Sequence, residues 1–124
     1  MKHILVQFAL LLVLNSVFAQ DTAQTVVVFD LKKEINPAST RITNKAVNRA
    51  VEINADAIIV HMNTYGGYVT DADSIRTRLL NSSIPTYVFI DNNAASAGAL
   101  ISLACDKIYM RKGSSIGATT VVNE

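Results

Sequence analysis

Two short stretches carry the residue types that acyl-transfer chemistry needs. One is Asn63-Thr64-Tyr65-Gly66-Gly67 and the other is Asn92-Asn93-Ala94-Ala95-Ser96-Ala97-Gly98. Ser96 stands where a loop turns into a helix, among neighbours that are all small. Small neighbours let a second backbone, such as a peptide, come close to a serine hydroxyl. Amide N–H groups at a helix start favour a developing negative charge on oxygen. Serine is equally a common helix N-cap, so position alone leaves both roles open. The stretch is not a G-x-S-x-G elbow, because Ala94 holds the place of the first glycine.

Gly66-Gly67 can adopt positive φ and turn backbone N–H groups outward. On neighbouring strand ends, the amides of Gly67 and Ala97 would make a two-donor oxyanion site beside Ser96. An ordinary glycine turn is the competing reading of that pair. A serine nucleophile also needs a base. His61 lies in an apolar stretch and reads as a packed core histidine. Lys107 follows the Ser96 helix, whose nine expected residues span about 13 Å at 1.5 Å each, so it falls at the far end. The chain as given therefore offers no good base.

The elements that must position these residues alternate in kind. Residues 25–31 and 57–62 are β-branched, apolar runs that predict buried strands. Between them Asn36-Pro37 opens a predicted helix, with proline at the first helical position. Its apolar face is Ile42, Ala46, Val47, Ala50 and Ile53, and Asn54 ends it. A second helix is expected with Thr70 as its cap and Ile75, Leu79 and Leu80 facing inward, ending before Pro85. Residues 86–90 predict a third strand, 96–104 a small-residue helix and 107–110 a fourth strand. Strands separated by helices imply parallel pairing and an α/β fold. Chemistry in such sheets gathers at the carboxyl ends of the strands, where both stretches fall.

Composition narrows the class. The chain has 124 residues, half of them hydrophobic, which suits one domain with a real core. Eleven basic residues against ten acidic ones give a net charge of +1, so nothing electrostatic points to nucleic acid. The one cysteine, Cys105, excludes an internal disulfide and reads as a small buried hydrophobe. With His3 and His61 it makes no zinc-ligand spacing, and no cofactor is expected.

Residues 1–19 read as a secretory signal peptide. Lys2 and His3 form the basic start, residues 4–14 the apolar run, and Val17-Phe18-Ala19 the cleavage site. A retained anchor is the alternative. Residues 20–124 are then one domain. Residues 119–122 look like a strand with nothing after it to pair, so the domain is expected to be truncated at Glu124.

Taken together, Tyr65-Gly66-Gly67, I-P-T-Y-V-F-I, A-A-S-A-G-A-L-I-S-L-A-C-D-K-I-Y-M and S-I-G-A resemble the NfeD-type membrane-bound serine proteases. These are relatives of the Clp protease proteolytic subunit and of signal peptide peptidase A. The resemblance runs from about Thr25 to Ala118. It implies a Clp protease/crotonase-like α/β fold with a mostly parallel sheet. It also implies that Ser96 is the nucleophile and that Gly67 and Ala97 are the oxyanion donors through their N–H groups. The NfeD branch uses a Ser–Lys dyad with its lysine roughly 40 residues after the serine, past Glu124. The Clp subunits place a histidine roughly 25 residues on, where this chain has Val121, so the Ser–Lys branch is favoured. Such a lysine acts as a base once burial lowers its pKa. Tyr65 departs from the family, which usually has proline there.

The implied function is a serine endopeptidase of the cell envelope, cleaving apolar segments of membrane-associated proteins. Its partners would be a peptide or protein substrate, the membrane through segments not in this chain, and further copies of itself. The alternatives are a non-catalytic scaffold with the same fold, or a crotonase-type enzyme acting on acyl-CoA. The export signal argues against the last.

Overall fold

The computed structural model describes residues 23–118. The signal peptide expected at 1–19 and the strand expected at 119–122 lie outside the described residues. Within them five strands and three helices follow in order: β1 (Val26–Leu31), α1 (Pro37–Glu52), β2 (Ala57–Thr64), α2 (Val69–Leu80), β3 (Thr86–Ala95), α3 (Ala97–Ser102), β4 (Lys107–Met110) and β5 (Ser115–Gly117). The strands lie in the order β1-β2-β3-β4, and all neighbours are parallel. This is the α/β architecture that the strand–helix alternation requires.

Burial alternates along the central strands. Leu31, Val60, Met62, Val88 and Ile90 are buried beneath the helices, with Val47, Ala50, Ile75 and Leu79 packed onto them. The opposite side of the sheet carries Val28, Ile59, Tyr87, Phe89 and Tyr109, which line a shallow apolar groove. Each large aliphatic side chain in the core contributes about 2–5 kcal/mol relative to alanine.

Helix α1 starts where the sequence says it should. Asn36 accepts from the amides of Ala38 and Ser39, and the Ser39 hydroxyl accepts in return from the Asn36 amide. A cap of this kind is worth about 1 kcal/mol. Its inward face is the expected one at Ala46, Val47 and Ala50, with Ile53 packed at its edge, and differs only at its first member. Ile42 is half exposed, while Thr43 is fully buried and donates its hydroxyl to the Ser39 carbonyl at 3.0 Å. That local hydrogen bond makes threonine acceptable in the core. Leu80, also expected inward, is 59% exposed at the last turn of α2. Thr70 does not cap α2: the cap position is Tyr68, and Thr70 lies inside the first turn.

The largest departure concerns β3. Residues 91–95, expected to form a loop, continue the strand through Ala95. Strand β5 makes this possible by pairing Asn93 with Ser115 and Ala95 with Gly117. The strand also slips against β2. Met62 pairs with Ile90, but two residues later Thr64 pairs with Ala94, four residues further along β3. The bulge is held by side chains: Asn63 Oδ1 accepts the Asn93 amide at 3.2 Å, and the Ser115 hydroxyl donates to Asn93 Oδ1 at 2.8 Å. Among the described residues no helix is long and apolar enough to cross a membrane.

Candidate active site

The slip in β3 decides what faces what. With Thr64 opposite Ala94, the next residues on the same side are Gly66 and Ser96. A Cβ placed on Gly66 would lie 2.9 Å from Ser96 Cβ and 3.3 Å from its Oγ. The two stretches singled out in the sequence are thus in direct contact at the carboxyl ends of β2 and β3. In-register pairing would have set Gly66 against Ala94 instead.

Ser96 occupies the N-cap position of α3, yet it does not behave as a cap. Its φ of 50° and ψ of −115° put a non-glycine residue in sparsely populated space, and its side chain makes no capping bond to the helix. Such strain costs about 1–3 kcal/mol and persists only where the surroundings enforce it. Enforcement is visible on both sides. The Ser96 amide donates to the Gly117 carbonyl of β5 at 2.9 Å, and the Ser96 carbonyl accepts from the amides of Ala99 and Leu100. The turn is sharp in the manner of a nucleophile elbow, although it lacks that motif's first glycine. Helix α3 is six residues long, not the nine expected from residues 96–104. The Ala97 amide is at its first position, where an α-helix supplies no internal acceptor.

The glycine turn is fixed from the other side. Ile35, fully buried, forms an isolated parallel bridge with Gly67. Its amide donates to the Gly66 carbonyl and its carbonyl accepts from the Tyr68 amide, both at 2.9 Å. That bonding pattern leaves the N–H of Gly67 on the edge away from Ile35. A side chain at Gly67 would run into the Ile35 backbone. Gly66 has φ of +122°, so it uses the conformational freedom expected of it. Tyr65, in the place of the family's proline, is 80% exposed at the rim.

Thr64 stands beneath the turn, 2% exposed. Its hydroxyl donates to the Lys33 carbonyl at 2.7 Å and accepts from the Gly66 amide at 3.1 Å. Its methyl Cγ2 fills the space in which a Cβ on Gly98 would sit, at 2.5 Å. Sequence reasoning included this residue in the glycine stretch but gave it no role, because the strand was expected to end at Met62 and not at Thr64.

The two weak base candidates are placed elsewhere. His61 Nδ1 is 3.1 Å from Asp30 Oδ1, and Nε2 is 3.7 Å from Asp91 Oδ2, on the groove side of the sheet. Its ring also tilts against Phe89. Lys107 pairs in register with Tyr87 and lies over that ring. Nine residue steps separate Tyr87 from Ser96, roughly 25–30 Å at about 3.3 Å each. Cys105 is largely buried and its thiol pKa is pushed up to about 12, chiefly by burial and further by the Asp106 carboxylate, against a hydrogen bond with Thr86 that pulls it down. It is not a nucleophile at neutral pH.

Comparison with known proteins shows the family and the fold. The model of the NfeD1b N-terminal domain family matches residues 25–124. Membrane protein NfeD1b of Bacillus subtilis is 33% identical over 105 residues, covering 85% of this chain and 24% of that protein. Among solved structures, a serine-to-alanine mutant of 1510-N, the membrane-bound stomatin-specific protease from Pyrococcus horikoshii, superposes with a TM-score of 0.77. It is 30% identical and covers 82% of this chain and 50% of its own. A lysine-to-alanine mutant of 1510-N in complex with a substrate peptide gives 0.76, at 31% identity over 82% of this chain and 48% of that one. The Clp protease subunit ClpP1 of Listeria monocytogenes shares the fold, with a TM-score of 0.60, 27% identity and coverage of 63% of this chain and 46% of that one. The chain spans about a quarter of the curated relative and half of the solved ones.

Proposed function

This chain belongs to the NfeD1b N-terminal domain family, and on that premise we propose that it carries the nucleophile half of a serine endopeptidase of the cell envelope. Ser96 Oγ attacks the carbonyl carbon of a bound peptide. The hydroxyl proton passes to a base, and the carbonyl oxygen becomes an oxyanion held by the N–H groups of Gly67 and Ala97. Collapse expels the amine with the proton and leaves an ester on Ser96, which water then hydrolyses. The base is a lysine contributed from outside the described residues. A histidine mechanism has no support here, because His61 is engaged with Asp30 on the groove side of the sheet.

The observation that carries the reading is the strained backbone of Ser96, held against Gly66 at two adjacent strand ends. A helix cap would need no such conformation. The relatives support it: mutants of a serine and of a lysine were made in a protease with this fold, and the second holds a substrate peptide. Apolar, membrane-associated segments are the proposed substrates. The leader at residues 1–19 is the proposed route to the envelope, and self-association is part of the same proposal.

The test is covalent labelling of the full-length protein with a fluorophosphonate probe, followed by peptide mass mapping. The expected adduct is on Ser96, and it disappears in Ser96→Ala. Labelling of an unchanged amount in Ser96→Ala, or none in the parent protein, would refute the reading.

A further inference from the structure

We infer that Thr64 is a positioning residue for this site, and that its hydroxyl and its methyl do two separate jobs. The inference rests on reading Ser96 as the nucleophile and the Gly67 amide as an oxyanion donor. Thr64 touches neither reacting atom; it acts through the glycine turn.

The hydroxyl is saturated. Its one proton has two acceptors in reach, the Lys33 carbonyl at 2.7 Å and the Gly66 carbonyl at 3.3 Å, and the shorter contact takes it. Its lone pair takes the Gly66 amide at 3.1 Å. A single buried oxygen thus joins the segment after β1 to the glycine turn. The joined segment is the one that leads into Ile35, whose bridge orients Gly67. Without that oxygen, Gly66 at φ of +122° loses the bond that pins its amide, and the Lys33 carbonyl loses its buried donor.

The methyl faces the other way. Cγ2 occupies the volume that any side chain at position 98 would need, so Gly98 and Thr64 are cut to fit each other. That close approach packs the start of α3 against the end of β2, so the methyl's job is one of stability. Serine would supply only the hydroxyl and valine only the methyl. Threonine supplies both from one Cβ, which accounts for its presence at this buried strand end.

The experiment compares Thr64→Val and Thr64→Ser with the parent full-length protein. The readouts are the second-order rate of Ser96 labelling by the fluorophosphonate across pH, and the thermal midpoint. Thr64→Val is expected to stay folded and to label at least about tenfold more slowly at the pH plateau, because an oxyanion donor is no longer held in place. Its pH midpoint should not move, since the base is untouched. Thr64→Ser should label within about threefold of the parent, since it keeps the hydroxyl that holds the donor. Equal rates for Thr64→Val and the parent would overturn the inference, as would a Thr64→Ser loss as large as that of Thr64→Val. Should Thr64→Val fail to fold, Thr64→Ala read against Thr64→Ser decides by the same criterion. Failure of the underlying reading looks different: the parent does not label, or Ser96→Ala labels as well as the parent.

Discussion

Gly66 and Ser96 face each other across the ends of β2 and β3, so close that a methyl on the glycine would come within 2.9 Å of the serine's Cβ. The nearest atom belongs to a short side chain on a constrained backbone, which has no easy way to give. Gly66 also holds φ of +122°, which a side chain resists. Gly66→Ala is therefore expected to lose about 1–3 kcal/mol of stability and to label with fluorophosphonate more than about tenfold more slowly. Denaturant midpoints and labelling rates, measured together, check this. A Gly66→Ala protein that labels at the parent rate would mean that the turn and the serine are not coupled.

Strain at Ser96 can be read directly from stability. Ser96→Ala removes the hydroxyl but keeps the Cβ in a region where it is disfavoured. Ser96→Gly removes both. Glycine pays a larger entropy on folding, about 0.5–1 kcal/mol, but escapes a conformational cost of about 1–3 kcal/mol. Ser96→Gly should therefore be the more stable of the two by about 1 kcal/mol in urea or thermal unfolding. Equal stabilities, or a less stable glycine variant, would show that the turn carries no strain. Neither variant should label.

The frame of the sheet was legible because parallel strands write themselves as β-branched apolar runs such as Val26–Leu31, although this one is an edge strand with Val26 and Val28 exposed, and Pro37 marks a helix start unambiguously. The two site stretches were legible from small residues at strand ends. The slip in β3 was not. Asp91-Asn92-Asn93 are turn formers by local preference, whereas in the fold Asp91 pairs with Arg111 and Asn93 is held by β5 and the Asn63 side chain. The backbone of Ser96 was equally hidden, since serine rarely adopts positive φ and its neighbours suit an ordinary helix start. Thr43 displaced Ile42 from the core because its hydroxyl is satisfied within its own helix, a bond that hydrophobic periodicity does not register.

The fit between Thr64 and Gly98 predicts a rescue. Gly98→Ala drives its new Cβ to 2.5 Å from Thr64 Cγ2, while Ala94 Cβ and Met62 Sδ stay at a comfortable 3.6 Å. Overpacking of this kind costs about 1–3 kcal/mol. Thr64→Ser deletes the offending methyl, so Thr64→Ser/Gly98→Ala should be more stable than Gly98→Ala alone. A double-mutant cycle on unfolding free energies should give a coupling of about 1 kcal/mol or more, in the favourable direction. Simple additivity would place the clash elsewhere.

Cys105 gives a prediction in pH. Burial, with the Asp106 carboxylate beside it, lifts its thiol from 9.0 to about 12. The folded protein keeps the proton through a range in which the unfolded chain has lost it. The unfolded state then binds fewer protons, so stability falls as pH rises. The stabilising contribution is complete below pH 9.0 and is lost as pH climbs towards about 12. Replacing Cys105 with alanine should flatten the decline of the unfolding midpoint over that window, at the price of a small cavity. The same burial should make the native thiol react with a maleimide or a disulfide reagent far more slowly than the thiol of the denatured chain. Rapid labelling of the native protein at pH 8, or an alkaline decline identical in Cys105→Ala, would show that the thiol is not held protonated by its surroundings.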